Sequence, residues 1–140
     1  MKRVLYDTNV ILDVVAARAP FLQASAAALD LVGRGRIEGF VAGHAVTTIA
    51  YLVQLEQGRK KVREALLHLF SKLTVAPTTD AAVRLALAME LDDFEDAVCV
   101  ASAQEAGCTV IVTRNPRHFR RAGLPALLPE ALVVAEGPSG

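Results

Sequence analysis

The sequence predicts an α/β fold in which a mainly parallel sheet of about five strands carries helices on both faces. Short apolar runs alternate with longer stretches of helical periodicity, as in strands joined by helical crossovers. These runs are apolar at successive positions, as in strands buried on both sides. No repeat, low-complexity tract or linker divides the 140 residues, so one domain is expected over residues 1–136, with a loose tail at 137–140.

The first half of the chain is predicted to contain two strands and four helices. Pro20 suits the first turn of a helix, and Gly33 suits the residue after a last turn. Gly58 separates two further helical patterns in the same way. The predicted elements are a strand at residues 3–6, helices at 10–17 and 20–32, a strand at 38–42, and helices at 44–56 and 61–73.

The second half is predicted to contain three more strands. Thr79 or Asp80 can cap a helix that reaches Leu87, and Gly107 ends the helix after it. The run at 109–112 is the clearest strand, because it is β-branched and ends at polar residues. The predicted elements are a strand at 74–76, the capped helix, a helix at 93–106, a strand at 109–112 and an edge strand at 132–134.

Composition limits the possible partners. Fifteen basic and fifteen acidic residues give a formal net charge of zero, so any nucleic-acid binding must be local. No apolar run approaches the ~20 residues of a membrane-spanning helix, and the acidic Asp7 comes too early for a secretory signal. A soluble, cytoplasmic protein without membrane contact is therefore expected. Cys99 and Cys108 lack CxxC or zinc-like spacing and are expected to be buried free thiols.

Two polar clusters follow the two clearest strands. Asp7 and Asn9 come directly after the first strand, and residues 113–115, Thr-Arg-Asn, follow the strand at 109–112. Because the carboxyl ends of parallel strands lie at one edge of a sheet, the clusters are expected to meet in one cleft. The alternative is that Asp7 and Asn9 only cap the helix that follows them.

Four carboxylates occupy residues 92–96, before a helix that is apolar nearly all round and so expected to be buried. Capping is one explanation, since Asp93 and Asp96 have capping-box spacing. However, four charges in one turn repel by more than the ~0.3–1 kcal/mol that a helix end offsets. A bound Mg²⁺ or Mn²⁺ would relieve this repulsion, so Asp96, together with Asp7, is predicted to ligate a metal ion.

Basic residues gather after the strand at 109–112. Four arginines lie between residues 114 and 121, and Arg114 and Arg117 are predicted to contact the phosphates of a bound nucleic acid. The alternative is a solvated surface turn. His118, a single histidine in this segment, is weak support for catalysis.

Two motifs resemble those of a known family. Residues 4–13, VLYDTNVILD, look like the first motif of PIN domains, the nuclease fold of VapC-type toxins and of RNA-processing enzymes. The run DFEDA at 93–97, followed by VIVTRN at 110–115, is similar to the family's second signature. Motif order, spacing and length agree over roughly residues 3–120. The resemblance implies a PIN-like three-layer sandwich.

The resemblance also implies a function. It implies endonucleolytic hydrolysis of RNA, with Asp7 and Asp96 as catalytic residues and as ligands of Mg²⁺ or Mn²⁺. Asp93 is predicted as a further metal ligand that compensates for an acid the chain lacks. Such domains commonly form homodimers, and those that are toxins pair with a small antitoxin protein, so both partners are expected.

Two acids that are usual in the family are absent. The helix after the second strand offers Thr47 and Thr48 in place of a glutamate, and Asn115 stands where an aspartate is frequent. The pattern is closest to the branch with threonine at that helix position, and Asn9, Thr48 and Asn115 are predicted as secondary contacts of the metal site. An alternative stays open: a catalytically weak or inactive PIN-like module that binds RNA or a protein. A phosphotransfer domain is disfavoured, because the chain lacks its second aspartate and a Gly-rich phosphate loop.

Overall fold

The computed structural model describes residues 1–137, in which five strands alternate with seven α-helices. The strands are β1 (Arg3–Tyr6), β2 (Glu38–Ala42), β3 (Leu73–Ala76), β4 (Val110–Val112) and β5 (Ala126–Leu127). The helices are α1 (Thr8–Val15), α2 (Leu22–Gly33), α3 (Gly43–Gln57), α4 (Arg59–Phe70), α5 (Asp80–Ala88), α6 (Phe94–Glu105) and α7 (Pro129–Glu136), and a 3₁₀ helix spans Pro116–Phe119. The predicted α/β class is confirmed.

All five strands are parallel and lie in the order β3-β2-β1-β4-β5. The central strand is β1, where Val4 pairs with Gly39 on one side and with Val110 on the other. Val4 and Leu5, which point to opposite faces of the sheet, are both fully buried. Helices therefore cover both faces, and the carboxyl ends of β1, β2 and β4 lie at one edge, as predicted.

Helix α6 brings its acidic first turn to the interior. Each of its residues from 96 to 103 is buried, and the helix packs against β2, β3 and α5. This agrees with the sequence, in which the helix is apolar nearly all round. Its N-terminal turn is consequently held at the edge of the sheet where β1 ends, and its position depends on core packing rather than on the carboxylates themselves.

Two predicted boundaries shift in the structure. The helix predicted at 61–73 is α4, which begins at Arg59, directly after the glycine that ends α3, and stops at Phe70. Leu73 belongs to β3 instead, where it pairs with Gly39 of β2. The apolar character of Leu73 is compatible with either element, so pairing with the sheet decides its conformation.

The edge strand predicted at 132–134 is wrong, because this segment lies in helix α7. Pro129 occupies the first turn of α7, a position that proline favours. Pro129 and Leu132 are the buried residues of the helix and are three positions apart, whereas Val134 is exposed. The fifth strand is the two-residue β5, which pairs with β4 and is too short to give a pattern.

The ends of the described chain add two observations. The loose tail predicted at 137–140 lies outside the described residues, apart from Gly137. Within residues 1–137, no helix combines the length and the apolar character that crossing a bilayer requires.

A buried carboxylate ties α1 to the end of β4. Asp13 is fully buried, and its Oδ2 accepts a hydrogen bond of 2.9 Å from the Ser25 hydroxyl. The Arg114 Nε lies 2.9 Å from the same oxygen, and the guanidinium stacks over the Phe21 ring at 4.0 Å from its centroid. Because Asp13 has no access to water, Arg114 supplies the positive charge that compensates it.

We expect Arg114→Met to lower the free energy of unfolding by about 3 kcal/mol, because it leaves Asp13 buried without a cationic partner. Arg117→Met, which removes the same charge from an exposed position three residues away, is expected to change stability by less than about 0.5 kcal/mol. Urea unfolding of both variants measures the difference. Equal midpoints for the two variants would contradict this role of Arg114.

Candidate functional site

Asp7 lies at the carboxyl end of the central strand and is only 6% exposed. Its Oδ1 accepts a 2.9 Å hydrogen bond from the Thr8 backbone N–H, and its Oδ2 accepts one of 2.8 Å from the Thr113 hydroxyl. Thr113 directly follows β4, so the two polar clusters meet at one edge of the sheet, as predicted. Asp7 also caps α1. Capping and participation in a site therefore coexist in this residue.

The acidic turn of α6 divides its roles between two aspartates. Asp93 is the N-cap, and its Oδ1 accepts a 3.0 Å hydrogen bond from the backbone N–H of Asp96. The carboxylate of Asp96 is left to face Asp7, and the His118 Nδ1 lies 3.8 Å from its Oδ2. The cap predicted from the spacing is thus provided by Asp93, while Asp96 is directed into the site.

Glu95 supplies a third carboxylate. One oxygen from each of Asp7, Glu95 and Asp96 lies within 4.8 Å of the others. We call these three residues the carboxylate cluster. Asp93 is not one of its members, although its charge acts on Asp96. Glu95 lies in the predicted acidic segment, but the motifs assign it no role, because the family's usual third acid comes from the helix after the second strand.

Burial and mutual repulsion disfavour ionisation within the cluster. Burial, followed by the charges of Asp7, Asp93 and Glu95, raises the pKa of Asp96 to about 7. Burial also raises the pKa of Asp7, and the hydrogen bond from Thr113 opposes this shift only in part. Glu95 differs, because its hydrogen bond with His44 lowers its pKa. At neutral pH the cluster is therefore an incompletely compensated centre of negative charge.

The carboxylate cluster fits a divalent cation. Its donors are hard oxygens, the ligands that Mg²⁺ and Mn²⁺ prefer, and no lysine or arginine of residues 1–137 forms an ion pair with them. A cation held by Asp7, Glu95 and Asp96 would offset both the burial and the repulsion that raise the two aspartate pKa values. The residues present are thus sufficient in number and chemistry for metal ligation.

The predicted secondary contacts are dispersed around this cluster. The Asn9 side chain accepts a hydrogen bond of 3.5 Å from the Arg114 backbone N–H, which links the first turn of α1 to the segment after β4. The backbone N–H of Asn115 donates to the Thr113 hydroxyl at 3.1 Å, and its side chain is exposed. Thr48 is exposed on α3. Within residues 1–137, none of these side chains forms a hydrogen bond to the carboxylate cluster.

A cleft of about 310 Å³ opens beside Asp96. Acidic residues from the segment before α6 form one side, and basic residues from the 3₁₀ helix and the loop after it form the other. Its lining residues are Glu90, Leu91, Asp92, Asp93, Asp96, Arg117, His118, Arg120 and Arg121. The predicted phosphate contact Arg117 lies in this cleft, whereas the predicted contact Arg114 pairs with Asp13.

His44 is a site residue that the sequence motifs do not indicate. It lies in the first turn of α3, which follows the carboxyl end of β2, and its Nε2 lies 2.6 Å from the Glu95 Oε2. The parallel-sheet rule that placed Asp7 and Thr113 at this edge places the residues after β2 there as well. That rule, applied to every strand, is the signal by which His44 could have been found.

Solved structures similar to this chain share its fold. VapBC2 from Rickettsia felis, bound to a DNA fragment from their promoter, matches with a TM-score of 0.71 and 12% identity over 89% of this chain and 96% of that chain. A toxin–antitoxin complex from Klebsiella pneumoniae matches with a TM-score of 0.68 and 20% identity over 90% and 97%. VapC20, a sarcin-ricin loop cleaving toxin of Mycobacterium tuberculosis, matches with a TM-score of 0.61 and 15% identity over 77% of this chain and 86% of that chain.

Sequence comparisons carry the family assignment, since structural likeness at these identities shows the fold alone. The chain matches no curated protein sequence. The sequence model of the PIN domain matches residues 3–117, which include Asp7, the acidic turn of α6 and the segment after β4. The resemblance seen in the two motifs is thereby confirmed, and the chain belongs to the PIN domain family.

Proposed function

We propose that this protein is a metal-dependent endoribonuclease that hydrolyses RNA phosphodiester bonds at the carboxylate cluster. The observation that carries the proposal is the convergence of Asp7, Glu95 and Asp96 within 4.8 Å, beside a cleft with a basic wall. Two of these acids, Asp7 and Asp96, are buried without a lysine or arginine partner among residues 1–137, which is unusual because burial of a charge carries a desolvation cost. A site that requires a cation explains why these acids are held together.

The chain's own residues orient the ligands. Thr113 and the Thr8 backbone fix both oxygens of Asp7, so its remaining lone pairs have defined directions. Asp93 fixes the first turn of α6 and thereby the position of Asp96. When bound, Mg²⁺ or Mn²⁺ supplies an oriented water and stabilises negative charge on the phosphate. No residue of the cluster needs to form a covalent bond to the substrate.

The basic wall of the cleft supports a polyanionic substrate. Arg117, Arg120 and Arg121 line it opposite the acids, and all three are exposed. Guanidinium groups bind phosphate oxygens through paired N–H donors, so they can hold a backbone while a neighbouring phosphate enters the carboxylate cluster. RNA as the substrate is further supported by the similar VapC20, which is described as a sarcin-ricin loop cleaving toxin.

We also propose that the protein is the toxin of a toxin–antitoxin pair. Two of the similar structures are of such assemblies, and in each the match covers nearly the whole length of the matched chain. A small antitoxin protein and a second copy of this chain are the proposed protein partners, both acting in the cytoplasm. The similar Rickettsia felis assembly is bound to a DNA fragment from its promoter, so we propose that the antitoxin of this chain is a small DNA-binding protein.

A second candidate function is a PIN module that binds RNA without cutting it. The observation that favours it is the absence of acidic residues at Thr48 and Asn115. Glu95 is evidence against this second function, because the cluster contains three carboxylates even though positions 48 and 115 are not acidic. The two functions differ in whether RNA is cleaved when metal is added.

We expect the purified protein to cleave labelled mixed-sequence RNA with Mg²⁺ or Mn²⁺ and to be inactive in EDTA. Asp7→Asn and Asp96→Asn are each expected to slow cleavage at least roughly 100-fold, a loss of about 2.7 kcal/mol of transition-state stabilisation. Glu95→Gln should cause a loss of the same order. Rates from single-turnover gel assays measure these effects.

The matched control for this assay is Asp80→Asn, which makes the same change in the exposed first turn of α5 and should leave the rate unaltered. Asp93→Asn retains a residue suited to capping and should keep most of the activity. Loss of cleavage in Asp93→Asn with an intact fold would make Asp93 a metal ligand. An inert wild type that binds RNA but takes up no Mn²⁺ in calorimetry would establish the binding module instead.

The raised pKa of Asp96 predicts a pH-dependent stability difference. Because the pKa of Asp96 rises on folding from 3.8 to about 7, the unfolded chain loses this proton first, and the folded state loses stability as pH rises between these two values, with the full penalty present above about pH 7. In EDTA, we expect Asp96→Asn to unfold a few degrees above wild type at about pH 8, and we expect this difference to shrink steadily as pH falls toward about 4. Mn²⁺ should raise the melting temperature of wild type only. A variant less stable than wild type at pH 8 in EDTA would contradict the repulsion.

Expression in a bacterial host tests the toxin proposal. We expect induction of wild type to arrest growth and induction of Asp7→Asn to leave growth unchanged, because the variant keeps the fold but loses a metal ligand. Co-expression of a small DNA-binding protein encoded beside this chain should restore growth, and the two proteins should purify together. Normal growth with wild type that is soluble and cleaves RNA in vitro would exclude a toxin that acts on the RNA of that host.

A further inference from the structure

A second group of donor atoms lies beside the carboxylate cluster. The Nε2 of His44, the Oε2 of Glu95 and the Sγ of Cys99 all lie within 4.8 Å of one another. Nε2 is 2.6 Å from Oε2 and 3.6 Å from Sγ, and Sγ is 3.1 Å from Oε2. Glu95 and Cys99 are four residues apart on α6, so they project from one face of the helix toward the start of α3.

The His44 ring is held with Nε2 directed at the other two donors. Its Nδ1 lies 3.3 Å from the Thr78 hydroxyl, which also accepts a 3.0 Å hydrogen bond from the His44 backbone N–H. The Thr78 oxygen lies in turn 3.3 Å from the hydroxyl of the buried Ser102. An outer partner on one ring nitrogen is the arrangement that orients histidines that ligate metals through the other nitrogen.

The chemistry of these donors differs from that of the carboxylate cluster. Imidazole, thiolate and carboxylate together are the ligands of Zn²⁺ and similar borderline metals, whereas Mg²⁺ selects oxygens. In a tetrahedral zinc site, nitrogen and sulfur ligands are about 3.6 Å apart, the separation that Nε2 and Sγ have here. Glu95, with a side chain about half exposed, has to move outward by less than about 1 Å.

The sulfur of Cys99 lies among possible metal ligands, 3.1 Å from the Glu95 Oε2 and 3.6 Å from the His44 Nε2. The other buried cysteine, Cys108, lies just before β4 and belongs to no group of three possible metal ligands among the described residues. The two cysteines, both buried and free, therefore differ in what surrounds the sulfur.

We propose that His44, Glu95 and Cys99 form a Zn²⁺ site with three protein ligands and one open position for water. We call it the His-Glu-Cys site. Binding displaces the thiol proton of Cys99, which passes to solvent, and the neutral His44 ring ligates through Nε2 with its proton on Nδ1, facing the Thr78 hydroxyl. A zinc ion can reach the site from solvent, because the Glu95 side chain is exposed and the His44 side chain is partly exposed.

The His-Glu-Cys site shares Glu95 with the carboxylate cluster. A zinc ion at the His-Glu-Cys site neutralises the charge of Glu95 and so lowers the affinity of the carboxylate cluster for Mg²⁺ or Mn²⁺. Zn²⁺ therefore acts as an inhibitor of metal loading at the cluster. This consequence rests on the proposed function, whereas zinc binding itself does not.

Cobalt substitution tests the site without any RNA. We expect one equivalent of Co²⁺ to give the near-ultraviolet absorption of a cobalt–thiolate bond, which an all-oxygen site lacks, and Zn²⁺ to abolish it by displacement. Cys99→Ser should remove this absorption, and Cys108→Ser, the matched control, should retain it. Asp7→Asn, which disables the carboxylate cluster, should also retain it. Circular dichroism spectra check that each variant is folded.

A zinc titration against a chromophoric chelator gives the affinities. We expect Thr78→Val to bind Zn²⁺ roughly tenfold more weakly, because His44 loses the hydroxyl that orients its ring. The affinity of Cys99→Ser for Zn²⁺ should fall by at least the same factor. Wild-type protein without the thiolate absorption, or Cys99→Ser that keeps it, would overturn the site. A Zn²⁺ affinity that is unchanged in Cys99→Ser but lost in folded Asp7→Asn would place the metal at the carboxylate cluster instead.

The coupling is measured by the paramagnetic resonance signal of free Mn²⁺. We expect one equivalent of Zn²⁺ to weaken Mn²⁺ binding at least roughly tenfold in wild type and to have a smaller effect in Cys99→Ser. Equal effects in the two proteins would overturn the coupling and leave the zinc site intact. Because no RNA is present, a failure of the nuclease assay alone leaves this measurement unaffected.

Discussion

The structure depends on one constraint: the parallel sheet brings the ends of β1, β2 and β4 to a single edge. Asp7, His44 and Thr113 each come after one of these strands, and none of them would meet in another strand order. The hydrogen bond from Thr113 to Asp7 joins the ends of two adjacent central strands across 106 residues of sequence. Core packing of the apolar strands thus brings together polar groups that are far apart in the sequence.

Helix α6 places negative charge beside the negative charge of Asp7. Its buried face packs against β2, β3 and α5, so its acidic first turn is carried to Asp7 whatever the electrostatic cost. The raised pKa values of Asp7 and Asp96 express that cost, which the fold bears when no cation is present. A domain of this size is stable by only about 5–15 kcal/mol, so the repulsion between these carboxylates removes a large fraction of the total stability.

Periodicity and the common edge of parallel strands are enough to predict much of the fold from the sequence. They predict the strand at 3–6, the parallel sheet and the approach of Asp7 to the segment after β4. They fail at 132–134, because a short apolar run containing valines fits strand and helix alike, and only the neighbouring Pro129 favours the helix. Arg114 is predicted as a phosphate contact because its charge is visible in the sequence, whereas its pairing with Asp13, far earlier in the chain, is not.

Glu95 shows why a missing motif residue is a weak argument for a lost site. The acid that the family usually carries on α3 is absent, yet a third carboxylate comes from α6, one residue before Asp96. That position also faces His44 and Cys99, whose donors are of a different chemical class. A ligand shared between two such sets cannot serve both fully, since each metal withdraws electron density from the same carboxylate. In the two proposed sites, an acid on α6 in place of one on α3 would therefore change which metals are distinguished as well as where they are held.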